Sequence, residues 1–361
     1  MTAAPRLVAL ASAVPPHVTR QEDARTLAAH LFAGPVGANP RLIQVFDNAE
    51  IEKRHTCVPL EWFASDHDFA EKNDLYIEHA VRLAEEVARK TLGRAGLEPR
   101  DVDHLVFVSS TGLATPSVDA RLANMLGLRP DFRRTPIWGL GCAGGAVGLS
   151  RARDFALAEP SARILLIALE LCSLTFQRND LSKRNLVATS LFADGAAAAL
   201  VVGSEVPRAG GQDGRPLEML ASQSTLWADT LDVMGWTVDG AGLHVVFSRD
   251  IPTIVHEKVR PSLAAFLESH GLSLDVLDHV VAHPGGVKVL KAYGESLDLP
   301  PEALRHSREV LRDYGNMSSP SCLFVLERFL ESGDIGVDDT AVVAALGPGF
   351  SSEYVLLRGA A

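Results

Sequence analysis

The feature that most restricts how this chain can fold is an internal echo. Residues 97–112 read LEPRDVDHLVFVSSTG and residues 272–286 read LSLDVLDHVVAHPGG, so Asp103-His104 and Asp278-His279 stand 175 residues apart. Before each segment, apolar residues recur every three or four positions, from Ile77 in the first case and from Ile254 past Pro261 to Leu267 in the second. That spacing is what one buried helix face requires. Farther on, Gly141-Cys142-Ala143-Gly144-Gly145 opens an apolar helical stretch to about Ala158, and Gly315-Asn316-Met317-Ser318-Ser319 opens another to about Leu330. Cys142 and Asn316 are 174 residues apart, one residue short of the first spacing. A β-prone apolar run closes each unit, Arg163 to Leu169 and Thr340 to Leu346.

Strands alternating with helices build mainly parallel or mixed sheets covered by helices, so the expected class is α/β. Two βα units can look alike by chance, but a shared Asp-His signature with two agreeing spacings makes duplication the stronger account. The expected halves are 1–210 and 211–361, joined in the Gly/Pro-rich stretch Pro207 to Pro216. Packed about a pseudo-twofold axis, such halves would place Cys142 and Asn316 at equivalent helix N-termini, with His283 close to both.

Composition narrows the function. Hydrophobic residues make up 47% and charged residues 22% of the 361 positions, enough to bury a large core. A net charge of −11 argues against sequence-independent nucleic-acid binding, which needs a broad basic surface. No apolar stretch reaches transmembrane length, and Leu7 to Val14, ended by Pro15-Pro16, is too short for a signal peptide. Cys57, Cys142, Cys172 and Cys322 show no close spacing, which disfavours both a disulfide framework and a cysteine metal site. The expectation is a cytoplasmic, thiol-reduced protein with no membrane insertion.

Three residues stand out by their settings. Cys142 lies among glycines just before an apolar helix, where small neighbours allow a tight turn and helix N–H groups favour thiolate over thiol. Most lone intracellular cysteines are inert small hydrophobes, and the glycine-flanked turn is what sets this one apart. His283, in Val280-Val281-Ala282-His283-Pro284-Gly285-Gly286, is the one of twelve histidines at a strand end before a rigid turn. It either caps that turn or displays its imidazole. Asn316 reads equally as a helix N-cap or as an amide donor for a developing oxyanion. Gly347-Pro348-Gly349 is either loop punctuation or a scaffold for a pocket.

In their order and context, GCAGG, AHPGG, YGNMSS and GPG resemble the type III polyketide synthases, the chalcone-synthase-like branch of the thiolase superfamily. The resemblance runs from about Asp47 to the C-terminus. It implies the thiolase fold, a five-layered αβαβα sandwich from two duplicated halves, and a homodimer. It also implies coenzyme A thioesters as substrates, with no metal, flavin or carrier protein. In such enzymes the position of Cys142 is a low-pKa thiol that accepts the starter acyl group. Those of His283 and Asn316 stabilise the enolate left when malonyl-CoA loses CO2.

Other positions match cavity residues of the family. Phe192 matches a phenylalanine at the cavity entrance, and Val245 stands where plant relatives carry a second one. Thr111, Cys172 and Ser318 match cavity-lining positions, Cys172 where plant enzymes have threonine. Thr115 replaces a methionine that reaches across the plant dimer, opening room for a channel, and Trp236 replaces a glycine, narrowing the cavity. Lys53 and Arg54 resemble a basic segment that contacts coenzyme A phosphates, with Lys288 as a third candidate. The plain alternative for all three is an ordinary solvated charge, a stronger account of Lys288 than of Arg54.

The nearest rival is a single-condensation β-ketoacyl-carrier-protein synthase of the third kind, which usually carries Gln-Ala-Asn after the histidine. A non-catalytic acyl-CoA-binding paralogue is the rival from another class. Within the family, the Asp47-Asn48 segment, Cys172 and Thr115 point to an acyl-CoA starter and an alkylresorcinol or alkylpyrone product. Malonyl-primed tetrahydroxynaphthalene or phloroglucinol formation is the alternative.

Overall fold

The structure, a computed structural model, describes residues 3–207 and 215–360. The boundary expected between residues 210 and 211 lies outside the described residues. In the first half the strands are β1 (Arg6–Ala13), β2 (His17–Arg20), β3 (Lys53–Thr56), β4 (His104–Val108), β5 (Arg133–Ile137), β6 (Arg163–Leu171) and β7 (Asp194–Val202). In the second they are β8 (Leu217–Leu226), β9 (Met234–Asp239), β10 (Gly242–Phe247), β11 (His279–Ala282), β12 (Thr340–Gly347) and β13 (Ser351–Gly359). The helices are α1 (Gln21–Leu31), α2 (Ala33–Ala38), α3 (Phe69–Ala95), α4 (Val118–Leu126) and α5 (Gly144–Ala158). They continue with α6 (Lys183–Leu191), α7 (Ile251–Glu268), α8 (Val287–Leu297), α9 (Arg305–Tyr314) and α10 (Ser321–Ser332).

Nine strands form one sheet in the order β11-β12-β13-β8-β1-β7-β6-β4-β5. Read inward from either side, the order repeats the same relations. Strands β4 and β11 are parallel to β6 and β12, which are antiparallel to β7 and β13, which are antiparallel to β1 and β8. Only Arg6 with Glu218 and Leu7 with Leu217 pair across the β1–β8 junction. The sheet is thus two half-sheets joined at one short contact, and β5 extends the first by a strand.

Side-chain alternation fixes the layers. Along β6, Ile164, Leu166 and Ala168 share a core with Leu149 of α5 and Leu323 of α10, while Leu165, Ile167 and Leu169 pack with Ala80, Leu83 and Val87 of α3. Along β12, Ala341, Val343 and Ala345 join the first of these cores, and Val342, Ala344 and Leu346 pack with Val255 of α7 and Leu290 of α8. Strands buried on both faces are apolar throughout, which explains their continuous runs. Five layers result: α3, a half-sheet, α5 with α10, the second half-sheet, and α7 with α8. This is the αβαβα thiolase arrangement.

Local signals account for some helix ends. The Asp68 carboxylate accepts the Glu71 N–H at 2.8 Å to start α3, and Gly96, at φ +66°, stops it. Helix α7 runs unbroken through Pro261, as the apolar pattern on both sides suggests. One expectation fails: α10 starts at Ser321, five residues beyond Asn316. Gly315 at φ +73° and Ser318 at φ +59° hold the intervening backbone out of the helical region. Two short antiparallel ribbons, β2–β3 and β9–β10, lie outside the main sheet.

Candidate active site

Cys142 occupies a single 3₁₀ turn, Gly141–Ala143, that leads into α5. The glycines around it serve packing between the halves. A Cβ on Gly145 would run into the Ser319 carbonyl oxygen and lie 2.7 Å from Cys322 Sγ, and one on Gly144 would lie 2.6 Å from Val108 Cγ1. A Cβ on Gly347 would collide with that of Ala143, so the Gly347-Pro348-Gly349 loop is a scaffold pressed against the cysteine turn.

His283 continues the β11 ladder, its N–H donating to the Ala344 carbonyl at 2.8 Å. The turn after it is closed by a Gly285 N–H donating to the His283 carbonyl at 2.9 Å. Neither ring nitrogen has a hydrogen-bond partner, so the imidazole is displayed and does not cap the turn.

Asn316 is no helix cap either. Its backbone bridges to the first half, N–H to the Leu191 carbonyl and carbonyl to the Ala193 N–H, both at 2.9 Å. Its Oδ1 accepts the Ser318 N–H at 2.8 Å, and its Nδ2 donates to the Gly285 carbonyl at 3.2 Å, directly tying it to the loop that follows His283.

These three side chains, remote in sequence, line one small cavity together with Met234, Phe247, Ile251, Gly285, Val289, Tyr293 and Leu346. Cys142 is 6%, His283 4% and Asn316 1% exposed, so the cavity is dry-walled and its charges poorly screened. Burial pushes the thiol of Cys142 up to about 11, against hydrogen bonds from Ser318 and Asn316 that favour the thiolate. Burial also drives the His283 imidazole down to about 4. The low-pKa thiol expected from the helix N-terminus is opposed here by desolvation.

Beside the cysteine is a residue that sequence reasoning missed. The Glu170 carboxylate, fully buried on β6, accepts the Ser110 N–H at 2.9 Å, the Thr111 hydroxyl at 2.8 Å and the Ser319 hydroxyl at 2.9 Å. Burial raises it to about 7 despite these bonds. A lone Glu in the run Arg163-Ile-Leu-Leu-Ile-Ala-Leu-Glu-Leu was the available signal.

The remaining expected residues divide. Arg54, Cys172, Phe192, Trp236 and Val245 line one apolar cleft, with Ala24, Ala28 and Leu31 of α1 among its other walls. Val245 and Trp236 face each other across the β9–β10 ribbon, and Phe247 and Met234, two residues along each strand, line the cysteine cavity. The ribbon thus walls both spaces. Ser318 is buried beside Cys142. Thr111 spends its hydroxyl on Glu170 and lines a separate small space with Lys72 and Gln177. Thr115 is exposed and lines neither cavity.

Among the three cations expected to meet phosphates, Arg54 has another task. Its guanidinium, buried and lowered to about 10 by desolvation, donates to the carbonyls of Thr189 and Phe192, bracing the end of α6. Lys53 and Lys288 are exposed. Among the described residues no group of three or more His, Cys, Asp or Glu side chains is placed to hold a metal ion, and no helix is long and apolar enough to cross a membrane.

Comparison with known proteins gives this geometry its context. Residues 2–206 match the N-terminal domain of chalcone and stilbene synthases, and residues 218–361 match the C-terminal domain. The chain is 41% identical over 355 residues to a putative chalcone synthase from Bacillus subtilis (strain 168), covering 97% of each. It is also 41% identical over 352 residues to the 1,3,6,8-tetrahydroxynaphthalene synthase of Streptomyces peucetius subsp. caesius, covering 98% of this chain and 92% of the relative. The crystal structure of the corresponding synthase from Streptomyces coelicolor A3(2), 30% identical, superposes with a TM-score of 0.92 over 99% of both chains. Fold and sequence agree over nearly the whole length: the chain belongs to the chalcone and stilbene synthase family and is a type III polyketide synthase, an acyl-transferring enzyme.

Proposed function

We propose that Cys142 accepts a starter acyl group from coenzyme A, and that His283 and Asn316 hold the enolate oxygen formed from malonyl-CoA. In the loading step the thiol proton passes to His283 as sulfur attacks the thioester carbonyl, and coenzyme A leaves with a proton returned by the imidazolium. In the extension step the bond between the malonyl methylene and its carboxylate breaks. CO2 departs, and the electron pair enters an enolate whose oxygen faces two neutral donors in a desolvated pocket. The enolate carbon attacks the Cys142 thioester, a carbon–carbon bond forms and the thiolate is released.

The convergence of these three side chains on one buried cavity carries this reading. Incubating the Cys142→Ser variant with acyl-CoA and malonyl-CoA tests it by mass spectrometry: product formation should fall by orders of magnitude. Full-rate bond formation would overturn it.

For the product, the proposal is an acyl-CoA starter and an alkylresorcinol or alkylpyrone. Its support is the apolar cleft sharing the β9–β10 wall with the cysteine cavity, a lining suited to an aliphatic chain. The naphthalene-forming reading is favoured instead by the naphthalene synthases among its relatives. Products from malonyl-CoA alone, against malonyl-CoA with fatty acyl-CoA, separate the two. A homodimer in the cytoplasm completes the proposal; exposed Leu113 and Trp138 supply an apolar face for the first part.

A further inference from the structure

The backbone of Asn316 hangs on a three-residue segment of the first half, Leu191-Phe192-Ala193, by one isolated parallel bridge between Phe192 and Asn316. That segment also ends α6, where the last helical carbonyls have no partner within the helix. Arg54 supplies the partner. It is 6% exposed, and its Nη1 donates to the Thr189 carbonyl and, at 3.0 Å, to the Phe192 carbonyl. A cation there also complements the negative end of the helix. The same side chain meets Asn316 from its other neighbour. A Cβ on Gly315 would lie 2.9 Å from Arg54 Cγ and 3.0 Å from the Leu191 carbonyl oxygen, so stem, carbonyl and turn leave no space between them. Beyond the segment, the Asp194 carboxylate accepts the N–H groups of Cys57 at 2.8 Å and of Ser173 at 2.7 Å, and its charge favours the Arg54 cation.

We infer that Arg54 is a positioning residue for the reaction, setting the place of the Asn316 amide through the peptide group between Phe192 and Ala193. The assignment rests on the enolate-holding role given above to Asn316. That peptide group is planar and turns as one piece. Its carbonyl accepts from Arg54, and its N–H donates to the Asn316 carbonyl at 2.9 Å. Without the guanidinium, a buried carbonyl would turn to find another donor, and the N–H on the opposite side would leave Asn316. The Leu191 carbonyl, which accepts the Asn316 N–H, belongs to the next peptide group back and would follow. This role also accounts for a charge buried beside an apolar cleft: burying it is costly unless it is hydrogen-bonded, and its bonds go to main-chain carbonyls.

The test is a double-mutant cycle on the conversion of malonyl-CoA alone to acetyl-CoA, in which the enolate takes a proton in place of an acyl group. It compares wild type, Arg54→Lys, Asn316→Ala and the double variant. Lysine keeps the cation but loses the planar fork. Arg54→Lys should lower kcat about tenfold, as expected for a donor moved by a fraction of an ångström, with KM for malonyl-CoA within twofold of wild type. In the Asn316→Ala background the same substitution should change kcat by less than about twofold, because the amide it positions is gone. Arg54→Met, which removes the charge as well, should lower kcat further than Arg54→Lys. An unchanged kcat in both Arg54 variants overturns the assignment. So does a raised KM at constant kcat, which would mark a phosphate contact, or an equal loss in both Asn316 backgrounds, which would mark an action on some other group. Loss of cooperative melting in both Arg54 variants would overturn it too, as the sign of an arginine needed for folding alone. An Asn316→Ala variant that decarboxylates at the wild-type rate would instead count against the enolate-holding reading itself.

Discussion

At the residue scale the proposed chemistry depends on two groups whose charged forms burial disfavours. Burial pushes Cys142 up to about 11 and His283 down to about 4, so in the proposed reaction the thiolate depends on the imidazole as proton acceptor. Replacing His283 by glutamine leaves a buried thiol with no base beside it. The thiol pKa is raised, so the thiolate fraction at pH 7 is small and grows with each unit of pH up to that pKa. Alkylation of Cys142 by iodoacetamide at pH 7 should therefore fall at least about tenfold in His283→Gln and climb steadily toward pH 9 without levelling. Labelling at the wild-type rate would show that the two side chains do not share a proton. Much of this candidate site was legible in sequence, because Cys142, His283 and Asn316, which line one cavity, each sit in a turn with its own glycines. Glu170 was not, since a carboxylate inside a strand declares nothing about the three donors that gather around it from Ser110, Thr111 and Ser319. Arg54 misled for a related reason: a charged residue in a short strand reads as solvated until the carbonyls of Thr189 and Phe192 are seen to enclose it.

At the scale of elements, the long runs were readable and the joints were not. Strands buried on both faces and helices with one apolar face leave strong patterns, so β4, β6, β11, β12, α3 and α5 fall where periodicity places them. The start of α10 moved because two residues of positive φ intervene, and the β9–β10 ribbon leaves only a weak trace because its burial runs in blocks, half-buried then exposed along β9 and buried then half-buried along β10. The glycines after Cys142 were legible as necessary but not for the right reason. They allow α5 to approach the segment before α10, so the contact of the two halves and the position of the thiol are one constraint. Gly145→Ala would drive a methyl group into the Ser319 carbonyl, backbone that cannot swing aside. The expected cost is at least about 1–3 kcal/mol, the usual penalty of overpacking, read as a lowered urea midpoint. Activity should fall further than stability, because the same shift displaces the Cys142 turn. A variant of wild-type midpoint and activity would mean that the layers can slide apart freely.

At the scale of the molecule, the loop from Ser109 to Ser117 runs from the site to the surface. Its inner end is held by Glu170, through Ser110 and Thr111, and the same carboxylate bonds Ser319 beside the cysteine. Its outer end carries Leu113, 44% exposed, and Thr115, and the indole of Trp138, itself 50% exposed, donates to the Gly112 carbonyl at 3.2 Å. Trp138 is only four residues before Cys142, and the Ser110 hydroxyl accepts both the Gly139 and Gly141 N–H groups at 3.2 Å. A solvent-facing leucine on this loop and a solvent-facing tryptophan just after β5, bonded to it, form the kind of apolar patch that a second copy covers, and a covered patch would hold this chain of contacts still. Replacing Trp138 with glutamate puts a charge into that patch. By sedimentation, the variant should run near 38.7 kDa, the mass of one chain, while the wild type runs at twice that. Condensation should be lost along with the dimer, since the segment that sets Cys142 loses its outer support. A variant that stays dimeric would show that this face is not the interface, and a fully active monomer would show that the site is complete within one chain.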